Sequence, residues 1–448
     1  MRTSTQNPDE GTFALTIDQD GSVERKGTSA SGAQPHNVSV SGLMKALIPA
    51  SIIILVVFWI NASQVNGIFL NQGKYVKRAK VALADFDGGD FGEALRFAAS
   101  SNNQSYGYPT FVNIDTSRVL PEQIRHDVFE GKYWAAIVVQ PGASTRFEEA
   151  INGTASSYNA SDVYTCYSMT SRYYSLYASG IQSSAITVTS TAAGIFSAQF
   201  VTQVIASGHY SNTSAAASAL AGPAQLVLTS AASQEFEHFD GKPIVNTIGA
   251  VFPVLMQFFF IMAWNGICNS MHIYAAYNLR KHIVARLIYS TIWPIFTSLC
   301  SAGWTFGFRG QFDSDAKMFF AFWAVTWVYS MINFDALDIM TGFVPMAFTP
   351  FVFLTWVIFN MAASLGPPTI LNPWYRLNYF FPSLHWYQTF VTIISEGGVS
   401  RLHYTLPTLA GWLILLKAIS PLATKYRVKK AQRVFRYYNE RDALDAPH

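Results

Sequence analysis

Residues 244–268 read IVNTIGAVFPVLMQFFFIMAWNGIC, a run without one charged side chain. A hydrocarbon core of roughly 30 Å takes about 20 apolar residues in helical conformation. Backbone polar groups in hydrocarbon must be bonded internally, so such a run reads as helix. Further apolar stretches follow at about 287–307, 318–334, 342–363 and 406–422, and one stands far upstream at 43–62. This spacing predicts a membrane all-α bundle of six transmembrane helices, with a large α/β extracytoplasmic domain inserted between helices 1 and 2. The expected division is a disordered cytosolic tail at 1–42, helix 1 at 43–62, the inserted domain at 63–242, a five-helix region at 243–422 and a basic cytosolic tail at 423–448. An aromatic external loop is expected at 365–405.

Composition agrees. Charged residues are 13% of the chain, against about 25% in soluble domains. The net charge of +3 is spread out, with no basic block facing an aromatic comb, so nucleic acid is not an expected partner. Of three cysteines, Cys268 and Cys300 fall in or beside spans, which leaves Cys166 without an intrachain partner in the inserted domain. It is expected to be dispensable for folding, with a bridge to a second copy of the chain left open.

Lys425, Arg427, Lys429, Lys430, Arg433 and Arg436 after the last span, and Arg280, Lys281 and Arg286 after the second, place those segments in the cytosol by the positive-inside rule. Snorkelling of Arg286 would account for its position at a span end. Glycosylation sequons at Asn103, Asn152, Asn159 and Asn212 all lie in the insertion, which supports its external placement. Asn37 and Asn61 also match, one in the expected cytosolic tail and one at the membrane.

From Lys80 the insertion reads KVALADFDGGDFGEALRFAAS: a strand with an acidic end, a glycine turn and a helix, with Asp90 as the expected cap. A strand TFVNID, a helix LPEQIRHDVFEG and a strand YWAAIVVQPGAS follow, an α/β order. Residues 161–207 lack charge runs and suit one or two long helices against the sheet. The acidic strand end, the segment GKYWAAIVVQP at 131–141 and the one-plus-five span layout resemble the fungal nitrosoguanidine-resistance membrane proteins. These are similar in turn to bacterial phage-infection proteins and to permease subunits of type 2 ABC exporters. The resemblance covers the chain from Leu43 to the basic tail. It implies a role in resistance to toxic compounds and in membrane lipid organisation.

Asp85, Asp87 and Asp90 are better read as a turn and cap than as a cation loop, because the ligand series stops there. No two histidines have metal-ligand spacing on a helix. No phosphate loop or nucleophile elbow occurs, so neither an enzyme nor a cofactor is expected. If the chain resembles an exporter permease, its ATPase is on another polypeptide or absent. Asn265 and Asn269 share one helix face, where they either line a substrate path or bond between helices. Asp335 and Asp338 are read as a cytosolic turn between spans. Trp374, Tyr379 and Trp386 in the proline-broken aromatic segment form either an interfacial belt or an exit path; with Asn265 and Asn269 they make the candidate substrate path.

The leading expectation is therefore export or redistribution of amphiphiles or lipids in the plasma membrane, with an endomembrane as the alternative site. Membrane lipids, a separate ATPase or lipid transporter, and a second copy of the chain are the expected partners. The competing expectation is a non-transporting sensor or regulator acting through its external domain.

Overall fold

The computed structural model describes residues 16–17, 23–24, 40–103, 105–232, 238–242 and 244–444, with side chains described from residue 48, residue 50 excepted, to 436. The expectation for residues 1–42 and the Asn37 sequon lie largely outside these. The chain forms two packing units, 1–56 and 57–448. Within the first, Thr16–Ile17 pairs antiparallel with Val23–Glu24. Helix α1 (Val40–Asn66) begins in the first unit and ends in the second.

The second unit contains a five-stranded sheet of β1 (Lys80–Asp85), β2 (Thr110–Ile114), β3 (Ala135–Val139), β4 (Tyr164–Ser168) and β5 (Leu226–Ser230), in spatial order β2-β1-β3-β4-β5. The β2, β1 and β3 strands run parallel, β4 is antiparallel to β3, and β5 is parallel to β4. Every residue of the central strand β3 is buried, as a strand covered on both faces requires. Alternation divides the sides: Val81, Leu83, Ile137 and Val139 pack with Phe91, Phe147 and Phe196, while Ala82, Ala84, Ala136 and Val138 pack with Ile124 and Val128. The first side is covered by α2 (Asp90–Asn102), α4 (Ala143–Asn152) and α5 (Tyr174–Ser207); the second by α3 (Pro121–Phe129). α6 (Ser214–Ala221) leads into β5. Gly89, not Asp90, occupies the cap position of α2. Asp85 instead accepts from the backbone amides of Asp87 and Gly88 and pairs with Arg96 at 2.5 Å, and Asp87 binds Ser144.

The helical part comprises α7 (Ile248–Ser270), α8 (Leu279–Gly307), α9 (Ala316–Phe343), α10 (Thr349–Leu365), α11 (Pro382–Ile394) and α12 (Leu402–Leu444). Among the described residues, four helices are long and apolar enough to cross a membrane: 174–207, 248–270, 279–307 and 402–436. The first of these nonetheless packs Ala185, Val188, Ala192 and Phe196 into the sheet core. α9 is absent from the four, although it is 28 residues long. It lies at the bundle centre, packed by α7, α8, α11 and α12, and every residue from Tyr329 to Asp338 is buried. Trp59, Phe259, Phe296, Ile414 and Leu422 on other helices, and Phe320 near the start of α9, are exposed, an apolar surface suited to lipid.

Three expectations change here. No turn occurs at Asp335 and Asp338, because α9 continues through both; the break falls at Val344–Phe348, beside Pro345. The last helix does not end at 422, and Arg427 and Lys430 belong to it. The aromatic segment is no surface loop throughout, since α11 is buried almost end to end, with Trp386 and Phe390 fully enclosed.

Candidate functional site

The continuity of α9 puts two carboxylates inside the bundle, and the neighbouring helices supply their counter-charges. Arg286 of α8 contacts Asp338 directly, with both side chains buried, and Arg427 of α12 reaches the same carboxylate at 3.1 Å. Lys417 of α12 lies 3.1 Å from Asp335 and donates to Ser290 Oγ at 2.5 Å. Charges at membrane depth are expensive and persist when paired, which makes such a network a functional-site hypothesis by default.

Polar side chains complete the set. Arg286 Nη2 donates to Asn265 Oδ1 at 2.7 Å and to the Tyr274 hydroxyl. Tyr274 donates to the same Asn265 oxygen, and Asn265 Nδ2 donates to Thr341 Oγ1. Arg427 Nη2 donates to the Asp338 carbonyl at 2.7 Å. Two carboxylates thus face three cations, and the surplus positive charge lies on the α12 side.

Beside the network lies a cavity of about 550 Å³ lined by α7, α9, α12 and the turn at 271–275. Asn265, Asn269, His272, Thr341, Arg427 and Lys430 form its polar wall, and Val344, Met346, Val434 and Phe435 its apolar wall. The same cavity thus offers cations to a polar head and apolar surface to a chain.

Of the residues read as a path from sequence, Asn265 and Asn269 line this cavity together. Trp374, Tyr379 and Trp386 are not among its walls. Trp374 is exposed and donates to Gln64 Oε1 at 3.2 Å, beside a groove formed with the end of α1. Tyr379 is partly exposed and its carbonyl contacts His385. Trp386 is entirely buried and donates to Thr326. Arg286 does not snorkel; it is buried and ion-paired. Lys417 interrupts the run LILLKAIS, and an ionisable residue inside a span is the sequence signal that marks it.

Among the sequons, Asn152 and Asn212 are exposed. Asn159 is exposed with its amide donating to Asp162, and Asn103 is half-buried, bonded to the Phe111 backbone. Asn61 is buried against Thr355. Among the described residues, no group of three or more acidic, histidine or cysteine side chains could hold a metal.

Long apolar helices around a charged core define a multi-pass membrane protein. The chain belongs to the family described as protein of unknown function (DUF3533), whose model matches residues 50–418. It is also 23% identical over 347 residues to an uncharacterized endoplasmic reticulum membrane protein of Saccharomyces cerevisiae. That match covers 73% of this chain and 66% of the yeast protein, slightly under two thirds of the relative's length. No solved structure matches.

Proposed function

We propose that the protein binds a lipid or amphiphile with an anionic head in the cavity between α7, α9 and α12, and redistributes it within the membrane. The single observation that carries this reading is the pairing, in one cavity, of Arg427 and Lys430 with the apolar wall of Val344, Met346, Val434 and Phe435. In this reading α1, α7, α8, α9, α10 and α12 are the six spans, the sheet domain is extracytoplasmic and the basic end of α12 is cytosolic. The positive-inside distribution and the exposed sequons support that orientation. The resemblance to nitrosoguanidine-resistance proteins and type 2 ABC permeases makes tolerance to toxic amphiphiles the expected phenotype, and in this reading any ATPase is a separate chain. The yeast relative favours the endoplasmic reticulum over the plasma membrane.

The test compares wild type with Arg427→Gln/Lys430→Gln, both purified in mild detergent, for anionic phospholipid retained per chain. Retention should fall about fivefold in the variant, on the order of 1 kcal/mol of lost binding. Equal retention would remove the cavity from the function.

The second reading, a regulator acting through its sheet domain, is favoured by the packing of the seam. Tyr387 of α11 bonds the 171–173 loop of the sheet domain, and Val399 donates to Phe129 of α3 at 2.8 Å. A ligand on the sheet domain would thereby be felt in the bundle.

A further inference from the structure

The same seam holds a second group of cations, remote in sequence from the cavity. Arg172 lies in the loop between β4 and α5 and is only 6% exposed. Its guanidinium stacks over Trp134 at 3.8 Å from the ring centroid, and its Nη1 is buried without a hydrogen-bond partner. Burial, first, and then the nearby Arg401 both disfavour its charged form. Among the described residues neither arginine forms an ion pair with a carboxylate.

The loop is held in place from the bundle side. Tyr387 accepts from the Tyr173 amide and donates to the Ser171 carbonyl, both at 3.3 Å, so it fixes the two residues flanking Arg172. Next along α11, Gln388 accepts from the Tyr404 hydroxyl at 2.5 Å, and Arg401 Nη1 lies 3.4 Å from that same hydroxyl. The loop carrying Arg172 and the side chain of Arg401 are thus tied to consecutive residues of α11, Tyr387 and Gln388, at one seam. A buried charged donor left unpaired is costly, and such groups are normally satisfied. Two guanidiniums at one seam, neither paired with a carboxylate, match an oxyanion that accepts from both, and forked donors suit phosphate best.

We propose that Arg172 and Arg401 form a phosphate-binding site at the seam between the sheet domain and the bundle. Its ligand is a phosphate group, carried by a lipid headgroup or free in solution. Occupancy would replace repulsion by two charge-assisted contacts and tighten the docking of the sheet domain on α11 and α12.

The experiment uses the full chain in detergent and follows its thermal midpoint. One arm titrates inorganic phosphate against chloride at constant ionic strength. The other titrates dihexanoyl phosphatidic acid against dihexanoyl phosphatidylcholine. Both titrations are made in the Arg427→Gln/Lys430→Gln background, where the cavity no longer competes for the headgroup; saturable stabilisation is expected there, with the apparent affinity about tenfold weaker once Arg401→Gln is added. A response to inorganic phosphate assigns a free anion; a response to phosphatidic acid alone assigns a headgroup. Arg401 is partly exposed, so its replacement leaves the fold intact. Arg172→Lys keeps the buried charge while removing the fork, and should weaken binding likewise. In the Arg427→Gln/Lys430→Gln background, an undiminished response on adding Arg401→Gln, or no saturable response to either probe, would overturn the site.

Discussion

Arg286 and Asp338 stand 52 residues apart in the chain and form an ion pair with 3% and 1% of their side chains exposed. Removing one partner of a buried pair strands the other charge, at a cost of about 3 to 5 kcal/mol. Asp338→Leu should therefore sharply lower the fraction of monodisperse protein surviving heat in detergent. Arg427→Gln should cost far less, because Asp338 keeps Arg286 and Arg427 opens onto the cavity. Equal losses in the two variants would show that the cavity-side contact matters as much as the enclosed one.

Asp335 and Lys417 give a cleaner cycle. Asp335 is wholly buried, whereas Lys417 retains 23% exposure. Lys417→Met should destabilise more than Asp335→Leu, since the lysine ammonium can move toward solvent and the carboxylate cannot. The double variant should recover most of the loss. Additive losses in the thermal midpoint would argue against coupling between the two.

Trp386 and Trp374 should behave oppositely. Trp386→Ala empties a fully buried site among Phe322, Tyr329 and Phe390, at a cost of about 3 to 5 kcal/mol. Cellular abundance should fall with it. Trp374→Ala removes a ring that is 64% exposed and should leave abundance unchanged. Immunoblots of both variants, normalised to transcript, decide the matter.

Cys166 cannot bridge protomers in the folded chain. It is wholly buried in β4, and burial pushes its thiol up to about 12. Maleimide at pH 7.5 should label it only after denaturation, because the thiolate is the reactive form. Fast labelling of native protein would place it at the surface.

Glycan occupancy follows exposure if the sheet domain enters the secretory lumen. Asn152 and Asn212 should carry glycans, Asn103 should be under-occupied because its amide is committed to Phe111, and Asn61 should be bare. Glycosidase mapping of single Asn→Gln variants reads this directly. Modified Asn61 would require α1 to leave Thr355.

The sequence by itself determined what depends on local order. Uncharged runs such as 244–268 dictate helices, and alternation in KVALAD and AAIVV dictates strands whose two faces differ. Asn265 and Asn269 were readable as one face because a helix places residues four apart together. What only the tertiary structure decided is where charge sits. Asp335 and Asp338 resemble a turn until Arg286, Lys417 and Arg427 arrive from two other helices to pair with them. Arg427 belongs by sequence to a basic tail and by structure to a cavity wall. Trp386 reads as interfacial because aromatics favour interfaces, yet α7 and α9 close around it. The physical reason is common to all three: hydropathy measures the transfer of an isolated residue, while pairing and enclosure by distant segments reset the cost of burying it.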